Sequence, residues 1–311
     1  AECCVLSPAD PSSRSTQHPA RSTTVHAALF TVALLFSLNY IISKLGMREF
    51  SPLSFAWVRV AGAAAILALV MRDAERLSRE DSRRVAWFAV LGVAVNATLF
   101  LVGLSMTTVQ VAAVLITTIP VFTLAAAIAV GQERATAARI GGIALAGAGA
   151  LLVVGGESLV GTWRSFAGAV MIVVNCLSYS LYLVVSKPHM ARLSARAVVA
   201  RMFLVGSLLL LPVAAYSLAT EEWASISPNA WLALALVIAG PTVAAYLLQA
   251  WALRHAESSM VAAYTYVQPV LASVLGALVL GEQIRPIVVL AAAMIFGGVA
   301  LAGRASGPIP E

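Results

Sequence analysis

The chain has 311 residues, 60% of them hydrophobic and 11% charged, with a net charge of +6 and a mean hydropathy of +0.91. Soluble domains carry about 25% charged residues. A soluble fold of this length has too much surface to cover with so few charges, so a water-soluble enzyme is excluded and a bilayer is the expected solvent. The positive balance is no nucleic-acid signature, because the basic residues lie between apolar segments rather than in one stripe.

Residues 1–24 are rich in Ser, Thr and Pro and read as a disordered tail. The apolar run behind them is too long for a signal-peptide core and has no clear small-residue cleavage site, so it reads as the first membrane helix. A spanning helix needs about 20 mostly apolar residues. Ten segments qualify: 26–43, 53–71, 85–104, 109–130, 137–154, 166–185, 198–218, 230–250, 261–280 and 286–302. Only Thr107-Thr108 separates the third from the fourth, which makes nine helices the rival count.

Lys and Arg orient the set. With the N-terminus inside, fourteen fall in cytoplasmic segments and four (Lys44, Arg48, Arg164 and Arg285) in external ones; Arg59 and Arg201 lie inside helices. Both termini, including a short tail at 304–311, are therefore expected in the cytoplasm. Cys3, Cys4 and Cys176 offer no pairing or metal-ligand spacing.

The chain also repeats itself. Residues 37–44 read SLNYIISK and residues 180–187 read SLYLVVSK, 143 positions apart. A shift of 149 takes Pro120 to Pro269, Glu133 to Glu282 and Gly149 to Gly298, and a shift of 142 takes Arg59 to Arg201. Residues 25–155 and 156–303 thus form two five-helix repeats. Five is odd, so the second copy enters the membrane from the opposite side. Inverted repeats of this kind are a hallmark of secondary transporters. The expected fold is an all-α integral membrane protein of ten helices in two inverted halves.

In the fourth and ninth segments a Pro is followed by a Glu near the helix end: Pro120 with Gln132-Glu133, and Pro269 with Gly281-Glu282. With these residues, the chain from about 26 to 303 resembles the EamA type of the drug/metabolite transporter superfamily. The resemblance implies export of amino acids, amines or other metabolites, with some relatives carrying sugar phosphates or nucleotide sugars. The Ala-rich sequence, with 18 Arg to 2 Lys, suits a bacterial inner membrane.

Candidate site residues follow from polar groups that cannot face lipid cheaply. Asn175, Tyr179 and Tyr182 recur at i, i+4 and i+7 on one helical face. Phe36 and Asn39 form the matching stripe in the first helix, aligned with Tyr179 and Tyr182, and Ser43 continues it. Asn96 and Phe100, Tyr246 and Gln249, and Tyr266 and Gln268 lie at similar depth in three other helices. They are expected to line a central cavity; the alternative is ordinary interhelical hydrogen bonding, worth under about 2 kcal/mol.

Pro120 and Pro269 stand near mid-helix and free the carbonyls of Ile116 and Thr265, which makes them paired hinges or gates. Arg59 and Arg201 admit two readings, snorkelling toward headgroups or attraction of a substrate carboxylate. Lys44 and Lys187 read as interfacial anchors, and Glu133 and Glu282 as helix-end caps.

No Asp, Glu or His lies mid-helix, which argues against a simple carboxylate proton relay and against an intramembrane enzyme. No catalytic residue, cofactor or metal is expected. The partners are a small-molecule substrate and the lipid bilayer, not nucleic acid; monomer and homodimer stay open. The expected function is export of a small organic metabolite by alternating access, with amino acids, aromatic or otherwise apolar, first. Amines or drug-like compounds are the alternative substrates, and a non-transporting membrane scaffold is the alternative of another class.

Overall fold

The computed structural model describes residues 19–70, 77–160, 162–190, 193, 195–252, 264 and 266–304. Among them there are helices and turns but no strand. The helices are α1 (Pro19–Gly46), α2 (Pro52–Val70), α3 (Arg79–Met106), α4 (Val109–Ile116 with Ile119–Ala129), α5 (Ala137–Val160), α6 (Trp163–Met190) and α7 (Ala195–Thr220). A short 3-10 turn, Trp223–Ser225, leads to α8 (Pro228–Val237, Ile238–Ala244 and Ala245–Ala252), and α9 (Val267–Leu280) and α10 (Pro286–Arg304) complete the set. Eight are long and apolar enough to cross a membrane, and α9 and α10 are shorter apolar helices. The chain is a multi-pass membrane protein of ten helices.

Some expected boundaries move. Residues 1–18 of the tail lie outside the described residues, but 19–24 belong to α1, so the helix begins earlier than hydropathy alone suggests. The repeat boundary at 155/156 falls inside α5, which continues to Val160. Residues 261–263 of the ninth segment lie outside the described residues.

The packing follows the repeat. Helix α5 packs on α10, α2 on α7, and α4 on α9, each pairing equivalent elements of the two halves. Helix α6 packs on α3 and α4, as α1 does on α8 and α9. Glycines set the closest approach. A Cβ on Gly298 would stand 2.5 Å from the Gly142 carbonyl oxygen, and one on Gly149 would stand 2.9 Å from that of Ala291. The shift of 149 converts one contact into the other, so the pseudo-two-fold axis passes between them at the α5–α10 crossing.

The repeated octapeptide has an equally local explanation. Helix α4 breaks at Thr117-Thr118, and α9 begins only at Val267, just before its proline. Pro120 and Pro269 therefore do not kink continuous helices, as the sequence suggests. Each sits in the first turn after a break, where its missing N–H is tolerated. Beside each break the neighbouring helix reaches the first turn of the helix that follows: Ser180 Oγ donates to the Ile119 carbonyl at 3.0 Å, which also accepts from the Thr123 hydroxyl, and Ser37 Oγ lies 3.3 Å from the Gln268 carbonyl. Ser37 and Ser180 open the two copies of the octapeptide, and Ile119 and Gln268 are equivalent by the shift of 149. Both copies of the phrase thus set a serine hydroxyl against the first turn of the helix that follows a break.

The face away from the termini is closed by carboxylates that cross between halves. Glu221 accepts from the Ser51 amide (3.1 Å) and hydroxyl (2.6 Å) beside the start of α2. Glu49 accepts from the amide (2.6 Å) and hydroxyl (2.8 Å) of Ser227, the N-cap of α8. Glu282 accepts from the Val109 and Gln110 amides of α4 at 2.9 and 3.3 Å, and pairs with Lys44 at 3.1 Å. In each case an anion of one half meets the start of a helix in the other, where free N–H groups and the helix dipole favour it. Lys44, which also donates to the Thr107 carbonyl, is thus a cross-link rather than a lipid anchor. Glu133, at the other face, pairs with Arg139 at 3.2 Å.

Candidate functional site

Helix α8 is interrupted by a π turn, Ile238–Ala244, with Pro241 inside it. Proline has no N–H, so the carbonyl four residues back, that of Val237, loses its helical partner. In the π turn that carbonyl pairs with the backbone N–H five residues on, and the Thr242 hydroxyl donates to it as well, at 2.7 Å. That fixes the hydroxyl hydrogen and leaves the oxygen free to accept. Arg59 Nε of α2 donates to it at 2.8 Å. The Arg59 Nη groups meet no acceptor among the described residues. An interior cation in a membrane helix is costly; here it is held by the hydroxyl next to a proline on α8, which packs directly on α2.

Around this cation lie rings from four helices. Tyr246, one turn after Thr242, meets Phe36 of α1 edge-on at 6.0 Å and Phe203 of α7 at 5.5 Å. Tyr179 and Tyr182 of α6 lie 5.4 Å apart. Both tyrosines and Arg59 are within electrostatic reach of Tyr246. The Tyr182 ring lies against Gly92 in the π turn of α3, Val90–Val95, where a Cβ would approach it to 2.9 Å. The cluster offers ring faces, tyrosine hydroxyls and one guanidinium, a set that matches an apolar group carrying an anion. Tyr182 is buried, whereas Phe36, Arg59, Tyr179 and Tyr246 are half-buried. A pocket of about 20 Å³ beside Phe36, Gln249, Tyr264 and Gln268 has room for about one water.

The expected site residues therefore divide. Phe36, Tyr179, Tyr182, Tyr246 and Arg59 converge, with Gln249 and Gln268 at their edge on the small pocket. Asn175 instead ties two helices, its Nδ2 donating to the Asn96 carbonyl at 2.9 Å. Asn39 is buried and accepts from Ser43. Phe100 packs on Tyr40, and Tyr266 on Phe296 of α10. Gln268 contributes its carbonyl to Ser37. Arg201 is exposed, apart from Arg59 and the rings. The side chain of Lys187 lies outside the described residues.

Three residues of the site escaped the sequence reading: Pro241, Thr242 and Phe203. A usable signal existed for the first two. Gly240-Pro241-Thr242 puts a helix breaker and a hydroxyl together inside an otherwise apolar segment.

The protein-family model described as the EamA-like transporter family matches residues 23–155 and 166–304. An uncharacterized transporter of Archaeoglobus fulgidus is 24% identical over 266 residues, covering 84% of this chain and 91% of its own length. The uncharacterized inner membrane transporter YedA of Escherichia coli is 26% identical over 285 residues, covering 88% and 89%. A solved crystal structure superposes with a TM-score of 0.59 at 17% identity over 92% of this chain and 99% of its own, a likeness of fold alone.

Proposed function

Since the chain belongs to the EamA-like transporter family, we propose that it exports small carboxylate-bearing organic solutes, foremost amino acids with aromatic or other apolar side chains. It does so by alternating access across a bacterial inner membrane, with both termini in the cytoplasm. The observation that carries this reading is Arg59: one interior guanidinium, oriented through Nε by Thr242, beside the rings of Tyr246, Tyr179 and Phe36. A carboxylate accepts from such a group with a charge-assisted hydrogen bond worth about 1.5–3 kcal/mol. The rings supply apolar contact area for the side chain, and their hydroxyls can meet an ammonium. A free amine or drug-like cation finds no carboxylate at this depth. A phosphate dianion calls for several cations, and the cluster has one. The inner membrane is supported by the YedA relative, and the orientation by the fourteen-to-four division of Lys and Arg.

Proteoliposome counterflow with radiolabelled amino acids, amines and sugar phosphates, with and without a pH gradient, tests the reading. Exchange of phenylalanine or leucine is expected, persisting without an imposed gradient because no mid-helix Asp or Glu is present to titrate. Exchange of amines alone would overturn the substrate assignment, and no exchange of any solute by folded protein would favour the scaffold.

A further inference from the structure

Positive charge is scarce at the face away from the termini: its connections carry Lys44, Arg48, Arg164 and Arg285. Three of these four line one cleft of about 400 Å³. Lys44 comes from the end of α1, Arg48 from the α1–α2 connection and Arg164 from the first turn of α6. Ser105 of α3 forms part of the wall, and Glu282 is the carboxylate on it. That carboxylate is already committed, since it accepts from two α4 amides and from Lys44. Arg48 and Arg164 are exposed and have no ion-pair partner among the described residues. Lys44 and Glu282 balance each other, so the cleft keeps the surplus positive charge of Arg48 and Arg164, and such a surplus focuses the field and concentrates anions. Guanidinium groups in addition favour carboxylate and phosphate by geometry.

We propose that this cleft is an anion-binding site, separate from the aromatic cluster, which takes a compact carboxylate or phosphate group between Arg48 and Arg164. The anion comes from a free solute or from an acidic lipid headgroup. Lys44 stands at the same wall and holds α1 to Glu282, so occupancy of the cleft and closure of this face share one side chain. The site is independent of which solute Arg59 receives.

The test places a reporter cysteine on the wall, Ser105→Cys, in the full chain with Cys3, Cys4 and Cys176 replaced, reconstituted in nanodiscs. The labelling rate is followed with an uncharged maleimide, so that reagent charge plays no part. In zwitterionic lipid, benzoate at about four times its Kd slows labelling about fivefold, because only the vacant fraction reacts. Benzamide, the neutral isostere, has no effect. Arg48→Gln with Arg164→Gln removes the protection, whereas Arg59→Gln retains it, which separates this site from the central one.

Protection by phosphatidylglycerol with no added effect of benzoate supports the site and identifies the headgroup as its source. Equal protection by benzoate and benzamide, or none by benzoate or acidic lipid, overturns it. If the cysteine variant does not fold, fluorine NMR of 4-fluorobenzoate with the native chain makes the same decision. Line broadening lost in the double Arg variant supports the site, and broadening that is absent or unchanged by the two substitutions overturns it.

Discussion

The two halves place an arginine at equivalent positions and treat it in opposite ways. Arg59 of α2 is drawn inward by Thr242 of α8; Arg201 of α7 is exposed. The shift of 149 that aligns α4 with α9 sets Pro241-Thr242 against Gly92-Val93 in α3. Both segments form π turns, but Gly92-Val93 has no hydroxyl to receive a guanidinium, and Gly92 lies under the Tyr182 ring instead. The scaffold contacts, by contrast, are nearly the same twice over: serine to broken helix, and small residue to small residue at the α5–α10 crossing. Two-sided opening needs a scaffold that packs alike in both orientations, whereas a solute needs only one set of binding groups. On the proposed reading, symmetry is kept where the protein moves and given up where it binds.

The largest expected effect breaks this comparison at its centre. Arg59→Gln should lower initial transport rates of carboxylate-bearing solutes about tenfold or more, the loss of one charged hydrogen bond. Arg201→Gln should change them by less than about twofold, as an exposed charge does. Rates in proteoliposomes, with matched thermal melts, decide it. Equal losses would give the two arginines one role and remove the asymmetry.

Next comes the crossing of α5 and α10. Gly298→Ala and Gly149→Ala are equivalent substitutions, and overpacking of a close contact costs about 1–3 kcal/mol. The Gly298 variant should melt lower, because its Cβ would meet a carbonyl at 2.5 Å rather than 2.9 Å. The reverse order would mean that the crossing relaxes unequally in the two halves.

A smaller effect belongs to the serines. Ser180→Ala should destabilise by about 1 kcal/mol, the typical worth of a hydrogen bond. Ser37→Ala should cost less, because Ser37 divides one proton between Ala33, at 2.8 Å, and Gln268. Denaturant or thermal unfolding in detergent measures both, and a larger cost at Ser37 would sink the account of the repeated phrase.

Smallest is a pH effect at the α1–α2 connection. Hydrogen bonds from the Ser227 amide and hydroxyl hold the Glu49 carboxyl below its usual range. A depressed folded value means that the contribution is present above the unfolded pKa and lost as pH falls through the folded one. The native chain should therefore lose melting temperature on acidification below the ordinary carboxylate range more steeply than Glu49→Gln. Identical acid limbs would show that this tie contributes nothing measurable.

Most of the scaffold was legible in the sequence, because the bilayer imposes long apolar runs and the repeat marks its own symmetry with Pro, Glu, Ser and Gly. The site was legible only in part. A stripe such as Asn175-Tyr179-Tyr182 tells which residues share a helix face, not what lies opposite. Tyr179 and Tyr182 meet rings, while Asn175 meets the α3 backbone. Depth alone likewise could not tell Arg59 from Arg201, because the difference is a proline and a hydroxyl on another helix, α8. Helix ends were blurred for a simpler reason. Polar residues such as those at 19–24 and Arg79–Arg84 continue a helix beyond the apolar stretch that hydropathy detects.

The carboxylates that cross between halves have a mechanical meaning. Parting the closed face would take Glu221 from α2, Glu49 from α8 and Glu282 from α4 in one movement, each helix keeping the cap supplied by its own Ser51, Ser227 or Thr108. The hydrogen bonds that these carboxylates accept are then exchanged for bonds to water, so the three ties oppose parting together. On the proposed alternating-access reading, these three short side chains act as a ratchet pawl, lifted when something bound inside, or an anion at the rim, compensates for the broken ties.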